Sequence, residues 1–276
     1  MIVLIVFVVF SCNNSNNNNQ SVTSDIKDDL YDSAQGKSFV YTKYELPLSV
    51  EVYKLLKSKN IPFNKQLLLG LENQDKNFTE EKRALVLGIY SSDLVYATIF
   101  EQNQEAIDYF GVSIELAHKL DIEDGYNSNL LDKAYKNIDN TDSLNYVAGE
   151  AYWRTCTNLE KNNRTNILPL IVLGSWTESV HIMAKASIGS SMEAGLFKEL
   201  YNQKEHLKSL ILYFNDVISN PDKTGLTGDM KKWLKKLELI FEKYNEINAS
   251  EMNSLGVDQL KNIIFQIEDL RSMMIE

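Results

Sequence analysis

The sequence predicts an all-α fold, and three observations support this prediction. From about residue 41 onward, apolar residues recur at intervals of three and four, which is the spacing of one helix face. Helix-breaking residues are scarce, with four Pro and 12 Gly in 276 residues. Alternating runs of strand length are absent. We expect an antiparallel multi-helix bundle with additional C-terminal amphipathic helices. A solenoid of helical hairpins is the alternative, although no strong fixed-period repeat is evident.

Capping residues define the first predicted helices. Ser49, Asn64 and Thr79 each precede a run of helical periodicity, and their side chains can accept a hydrogen bond from a free N–H group of the first turn. Glu80 and Glu81 follow Thr79, where the helix dipole favours acidic residues. The predicted spans are about 49–60, 65–71, 79–102 and 104–119.

The later helices are predicted in the same way. Thr165 caps the most apolar of them, and a helix that is apolar almost all round is expected at the centre of a domain. Asn220-Pro221 ends a long amphipathic helix. The predicted spans are about 128–138, 141–159, 165–188, 191–219, 228–247 and 254–273. The helical domain is expected to cover residues 41–276, and a subdivision near residue 189 is compatible with its length.

The first twelve residues have the pattern of an export signal. Ten residues from Met1 to Phe10 form an apolar run that ends at Ser11-Cys12. A membrane-spanning helix needs about 20 apolar residues, so this run is too short to span. The sequence Val9-Phe10-Ser11-Cys12 resembles a bacterial lipobox, in which a small residue precedes the cysteine that receives the lipid. The resemblance implies a signal peptide over residues 1–11, lipidation of Cys12 and a lipid-anchored location in the cell envelope, periplasmic or surface-facing.

Residues 12–40 are predicted to form a disordered tether. Asn dominates as far as Gln20, and the following residues are acidic or small, so the segment has too few apolar groups to fold. Such a tether would hold the helical domain away from the membrane. Once Cys12 carries a lipid, Cys156 is the remaining cysteine, which excludes a disulfide within the chain.

The net charge of the chain argues against some classes of binding partner. The net charge is −10, and the first 150 residues alone contribute a balance of −9 from 13 Lys and Arg against 22 Asp and Glu. Nucleic-acid binding needs a basic surface, so an acidic front half argues against it. It argues equally against an electrostatic grip on anionic lipid. The expected partners are the membrane, reached through the N-terminal lipid, and an envelope protein or small ligand that the sequence does not identify.

Three further segments extend the resemblance beyond the signal. Together they look like uncharacterised all-helical lipoproteins of Bacteroidetes-type bacteria, a family with no assigned activity. The likeness would cover most of residues 41–190, and it implies an all-α fold and an envelope location. The segments are Lys43-Tyr44-Glu45-Leu46-Pro47, Pro62-Phe63-Asn64-Lys65 and the helical run from Ala84 to Leu94.

Two Glu-x-x-His motifs are the sharpest candidates for chemistry. Glu115 with His118, and Glu178 with His181, have the spacing of ligand pairs in helical dimetal proteins. Helical projection turns Glu115 away from the apolar face of its helix, towards water. Glu150, which would supply another carboxylate, precedes Arg154 by four residues, as in a surface ion pair. We therefore predict no metal site and no cofactor, and keep the set Glu115, His118, Glu178 and His181 as the weaker alternative.

Glu178 and His181 lie on the predicted central helix, where a buried carboxylate must be paired or protonated. One interpretation is a structural polar network that fixes helix register. The other is a ligand pocket. The residues expected in either case are Asp93, Tyr96, Tyr152, Arg154, Glu178 and His181.

No catalytic residue can be named, because the chain lacks the common nucleophile, phosphate-binding and metalloprotease motifs. The sequence therefore favours a non-catalytic binding or scaffold module over an enzyme. The alternative is a metal- or small-ligand-dependent helical-bundle protein that uses Glu178 and His181.

Overall fold

The computed structural model describes residues 49–276 apart from 77, 123–127, 138–139, 165, 190–193, 220–226 and 248–253. Within these residues every regular element is a helix, so the predicted all-α fold is confirmed. The predicted signal peptide, Cys12, the tether and the start of the helical domain lie outside the described residues.

The helices follow the predicted order, with ends that differ from the predictions by a few residues. Two short 3-10 helices, Lys65–Leu67 and Leu71–Asp75, lie between the first two α-helices. The α-helices are α1 (Ser49–Ser58), α2 (Glu80–Ile99), α3 (Asn103–Lys119), α4 (Ser128–Lys136), α5 (Thr141–Lys161), α6 (Leu168–Gly189), α7 (Ala194–Ser219), α8 (Thr227–Asn245) and α9 (Ser254–Ile275).

Two of the predicted capping residues act as caps. The Thr79 side chain accepts a hydrogen bond from the backbone N–H of Lys82, and the Asn64 side chain accepts one from Gln66. Asn60 follows the end of α1 with a left-handed backbone (φ 57°), a conformation that Asn tolerates well. The residues predicted to begin or end these helices therefore do so in the structure.

The helix predicted over residues 65–71 is wrong, because Lys65–Leu67 is only a short 3-10 helix and Leu71 begins a separate one. The chain is extended at Leu68 (φ −74°, ψ 152°), so the helix cannot continue. Both backbone polar groups of Leu69 instead bond to side chains of α2 and α3. The segment from residue 61 to residue 75, called the connector below, is therefore held by tertiary hydrogen bonds at Leu69 as well as by the local hydrogen bonds of its two 3-10 helices.

The core is built around α2 and α6, which make the most extensive contact in the structure. Helix α6 also contacts α1, α7 and α9, which agrees with the prediction that the most apolar helix is central. Its described side chains from Leu168 to Ala184 are buried except for that of Ser175, which is half-buried. Helices α3 and α5 pack on α2 from its other sides.

The C-terminal helices pack in antiparallel pairs. Lys236 of α8 bonds to Asp269 of α9, whereas Gln259 near the start of α9 bonds to the Glu246 carbonyl just after α8, so these two helices run in opposite directions. Buried indole groups join these helices to the rest of the domain. Trp233 of α8 donates a hydrogen bond to Glu81 of α2.

None of the described helices combines the length and the apolar composition needed to cross a bilayer.

Candidate functional site

Two glycines bring α2 and α6 into backbone contact. A Cβ atom added at Gly88 would lie 2.0 Å from the carbonyl oxygen of Ile171, and one added at Gly174 would lie 2.0 Å from that of Leu85. No side chain fits at either position, so glycine is required for the two helices to approach this closely. Gly88 and Gly174 therefore serve packing, and the crossing places the polar residues that follow them close together.

Glu178 lies one turn beyond Gly174 and is fully buried. Its carboxylate accepts two hydrogen bonds from Arg271 of α9, at 2.5 Å from Nε to Oε2 and 2.9 Å from Nη2 to Oε1. Burial alone would lower the pKa of Arg271, but the charge and hydrogen bonds of Glu178 outweigh it and raise that pKa. This two-point ion pair fixes α9 against the central helix.

Asp93 of α2 is also fully buried and lies beside Glu178. Its Oδ2 atom accepts a hydrogen bond from the backbone N–H of Leu69 in the connector, at 3.0 Å. Burial, and then the negative charge of Glu178, raise the pKa of Asp93 well above its usual range. Asp93 thus joins the connector to the α2–α6 crossing.

Three tyrosines complete the attachment of the connector. The Tyr109 hydroxyl donates to the Leu69 carbonyl at 2.9 Å, and the Tyr90 hydroxyl donates to the Gly70 carbonyl at 2.7 Å. The Tyr96 hydroxyl accepts from the Asn64 backbone N–H at 3.1 Å. Burial and then the charge of Asp93 raise the pKa of Tyr109. These hydroxyls stay neutral and satisfy buried backbone groups, as a structural network requires.

His181 lies one turn beyond Glu178 and points to the same helix, α9. Its Nδ1 atom lies 2.6 Å from Oε1 of Glu268, and Lys185 lies 3.4 Å from the other oxygen of Glu268. Burial acts to raise the pKa of Glu268, but the hydrogen bonds and charges of His181 and Lys185 outweigh it and lower that pKa. The Glu-x-x-His motif of α6 therefore meets Glu268-x-x-Arg271 of α9 in antiparallel register.

The structure brings together three of the predicted site residues, Asp93, Glu178 and His181. Tyr96 lies next to them, stacked on Phe63 with a ring-centroid distance of 4.9 Å. At Tyr152 the structure describes the backbone of α5 and not the side chain.

Arg154 was predicted to belong to the polar network or pocket around Glu178, but it is not a partner of Glu178. Its Nε atom donates to Glu150 at 3.0 Å, and Lys133 of α4 lies 3.5 Å from the same carboxylate. This is the i, i+4 ion pair that the spacing of Glu150 and Arg154 predicts.

The alternative metal set does not come together. Glu115 is exposed on α3, as the helical projection predicts, and His118 is exposed as well, whereas Glu178 and His181 pair with α9. Among the described residues, no group of three or more His, Cys, Asp or Glu side chains is placed to hold a metal ion.

Sequence reasoning missed three residues of the cluster. Arg271 and Glu268 come from the last helix, and Tyr53 of α1 closes the other side with a 2.6 Å hydrogen bond to Ser92. One signal for the first two was present, since Glu268-x-x-Arg271 is a charge-complementary partner for Glu178-x-x-His181. No signal in the sequence marks Tyr53 apart from its position on the apolar face of α1.

The Glu268 ion pair should contribute to stability in a pH-dependent way. We expect Glu268→Gln to lower the free energy of unfolding at pH 7 by about 1 kcal/mol, because it removes a charge-assisted hydrogen bond at a partly buried site. Since the folded-state pKa of Glu268 is lowered, its contribution is present above the unfolded pKa of about 4.3 and lost as pH falls through the folded value. Urea unfolding followed by circular dichroism between pH 3 and pH 7 measures this.

Asp269→Asn is the matched control, because Asp269 lies on the same helix in an exposed pair with Lys236. It should change stability by less than about 0.5 kcal/mol. An equal loss in both variants, or a Glu268→Gln loss that grows as the pH falls, would contradict the assigned role of Glu268.

A groove on the surface lies between α7 and α8, away from the buried cluster. Its volume is about 340 Å³, and Leu212 on its rim is 55% exposed. The lining side chains are Lys208, Ile211, Leu212, Glu238, Phe241 and Glu242. An apolar floor with a charged rim is a common arrangement in surfaces that bind other proteins.

The chain was compared with protein-family models, with curated proteins and with solved structures. No family model, curated protein or solved structure matches it.

Proposed function

We propose that this chain is a lipid-anchored protein of the bacterial cell envelope whose helical domain is a non-catalytic binding or scaffold module. The observation that carries the anchor is the Ser11-Cys12 junction at the end of a ten-residue apolar run. The polar residues 13–20 that follow suit a tether between lipid and domain. The partner is an envelope protein or a small ligand, reached from the membrane surface.

The non-catalytic part of the proposal rests on how the buried polar groups are used. A catalytic or ligand-binding carboxylate needs free oxygen atoms directed at its substrate. Both oxygens of Glu178 are instead bound to Arg271, and His181 is bound to Glu268. These contacts support a structural role for the residues that a metal- or ligand-dependent protein would use.

The groove between α7 and α8 supports a binding role for the surface. Leu212 and Phe241 present apolar area there, and Lys208 and Glu242 flank it with both signs of charge. Such a site fits contact with a protein segment better than the chemistry of a reaction.

Metabolic labelling with an alkyne analogue of palmitate tests the anchor. In a bacterial host that processes lipoproteins, we expect the wild-type chain to incorporate the label and to fractionate with membranes. The Cys12→Ala variant should lose both properties, whereas Cys156→Ala should keep them, because Cys156 lies within α5. Labelling that persists in Cys12→Ala, or that is absent from the wild type, would refute the anchor.

A further inference from the structure

Asp93 and Glu178 form a pair of carboxyl groups closed off from solvent. Both residues have no exposed surface, and they lie on the C-terminal side of the helix crossing, five residues after Gly88 and four after Gly174. The backbone contact at these two glycines brings the helices close together, and the two carboxyl groups are near enough to interact directly.

Among the described residues, Arg271 is the cation that compensates the charge of this pair of carboxyl groups. Arg271 directs its Nε and Nη2 atoms at Glu178, and its own side chain is 14% exposed. The other nearby basic side chains, His181 and Lys185, contact Glu268 at the edge of the cluster. If both carboxyls were ionised, the buried cluster would hold a negative charge without a partner, which a protein interior strongly disfavours.

The hydrogen bonds of Asp93 indicate which of the two carboxyl groups is protonated. Its Oδ2 atom accepts from Leu69, but its buried Oδ1 atom receives no hydrogen bond from any described donor. The polar group beside it is the Glu178 carboxyl, whose two oxygen atoms accept hydrogen bonds from Arg271 and offer Oδ1 no donor. A carboxyl oxygen in this position is satisfied when it carries a proton and donates it to its neighbour.

We propose that Asp93 and Glu178 form a proton-binding site, in which Asp93 carries the proton on Oδ1 and donates a hydrogen bond to the ionised Glu178 carboxylate. Asp93 holds the proton because it has one neutral backbone donor, whereas Glu178 has two donors from a cation. The titratable groups that face the pair from the surrounding helices are Tyr53, Tyr96, Tyr109, His181, Glu268 and Arg271.

The raised pKa of Asp93 agrees with this arrangement. In the unfolded chain the same carboxyl ionises near pH 3.9. The folded domain therefore takes up one proton between that pH and the folded-state pKa of Asp93, and its stability falls as the pH rises through this window. This property belongs to the helical domain and does not depend on the lipid anchor.

An NMR titration of protein labelled with ¹³C at the aspartate carboxyls tests the proposal directly. We expect one aspartate resonance to keep the chemical shift of a protonated carboxyl at pH 7, while the others titrate near pH 4. That resonance should be missing from the Asp93→Asn variant. If every aspartate is ionised at pH 7 in the wild type, for example because a buried water donates to Oδ1, the proposal is wrong.

Two variants separate proton sharing from simple burial. Asp93→Asn retains an acceptor for Leu69 and a donor for Glu178, so we expect it to fold and to lose the decrease in stability that we expect of the wild type as the pH rises above about 3.9. Glu178→Gln removes the neighbouring charge and leaves Arg271 for Asp93, so the Asp93 resonance should titrate at lower pH. An unchanged Asp93 titration in Glu178→Gln would overturn the shared proton, and the wild-type spectrum decides the matter if either variant fails to fold.

Discussion

Gly174→Ala is expected to lower the free energy of unfolding by at least about 3 kcal/mol, since adding a Cβ atom in a packed core forces neighbouring groups apart. The neighbour here is backbone: the carbonyl oxygen of Leu85 would lie 2.0 Å from the new atom, and a helix cannot turn that oxygen away. The α2–α6 crossing must therefore widen. In thermal unfolding the midpoint should fall by roughly 6–12 °C for a domain of this size.

Gly111→Ala provides the matched control. Gly111 also lies inside a helix, α3, but an added Cβ atom would meet no atom within 4 Å. Alanine is the better helix former, so we expect this variant to be up to about 1 kcal/mol more stable than the wild type. Equal stabilities for the two variants would show that the backbone contact at Gly174 does not exist as described.

Arg271→Met should have the second largest effect, a loss of about 3–5 kcal/mol in the free energy of unfolding. Methionine keeps much of the apolar packing of the arginine stem but removes the charge that compensates Glu178. Removing one member of a buried ion pair leaves the other charge uncompensated, and this is more harmful than losing the pair as a whole. Urea unfolding at pH 7 gives the number.

Lys236→Met is the control for Arg271→Met. Lys236 bonds to Asp269 of α9 at 3.0 Å, but Asp269 is exposed and Lys236 is about one-third exposed, so its loss should change stability by less than about 1 kcal/mol. A loss for Arg271→Met no larger than that of the control would mean that Arg271 does not compensate a buried charge.

Most of the fold could be predicted from the sequence because the helices carry strong local signals. The Thr79 cap, the Asn60 stop and the periodicity of α7 to α9 each depend on residues close in the chain, and each proved to mark a helix. The connector could not be predicted in the same way. The backbone groups of Leu69 bond to Asp93 and Tyr109, which are 24 and 40 residues away.

The candidate site could be predicted in part. The apolar surroundings of Glu178 and His181 correctly indicate that these residues are buried on the central helix. Their partners depend on which helix packs against α6 and in what register, and periodicity carries no information on either. By charge, Arg154 was an equally reasonable partner for Glu178. In the fold the partner is Arg271, which lies 93 residues after Glu178 in the chain.

Small residues on α2 and α6 are compatible with a close approach of the two helices, but the sequence does not mark where their backbones meet. Gly88 and Gly174 stand among several serines and alanines that could equally have marked a contact. The structure selects these two because backbone atoms of the partner helix occupy the space of a side chain. Only three-dimensional packing distinguishes them from Gly111, which lies in open space.

We propose that Glu178 and His181 of α6 attach the last helix to the domain and do not bind a ligand. A double-mutant cycle between Glu178→Gln and Arg271→Met, measured as free energies of unfolding at pH 7, tests it most directly. We predict a coupling of about 2–3 kcal/mol, with the double variant more stable than Arg271→Met alone, because the uncompensated charge is then gone. Additive effects within about 0.5 kcal/mol would contradict the claim.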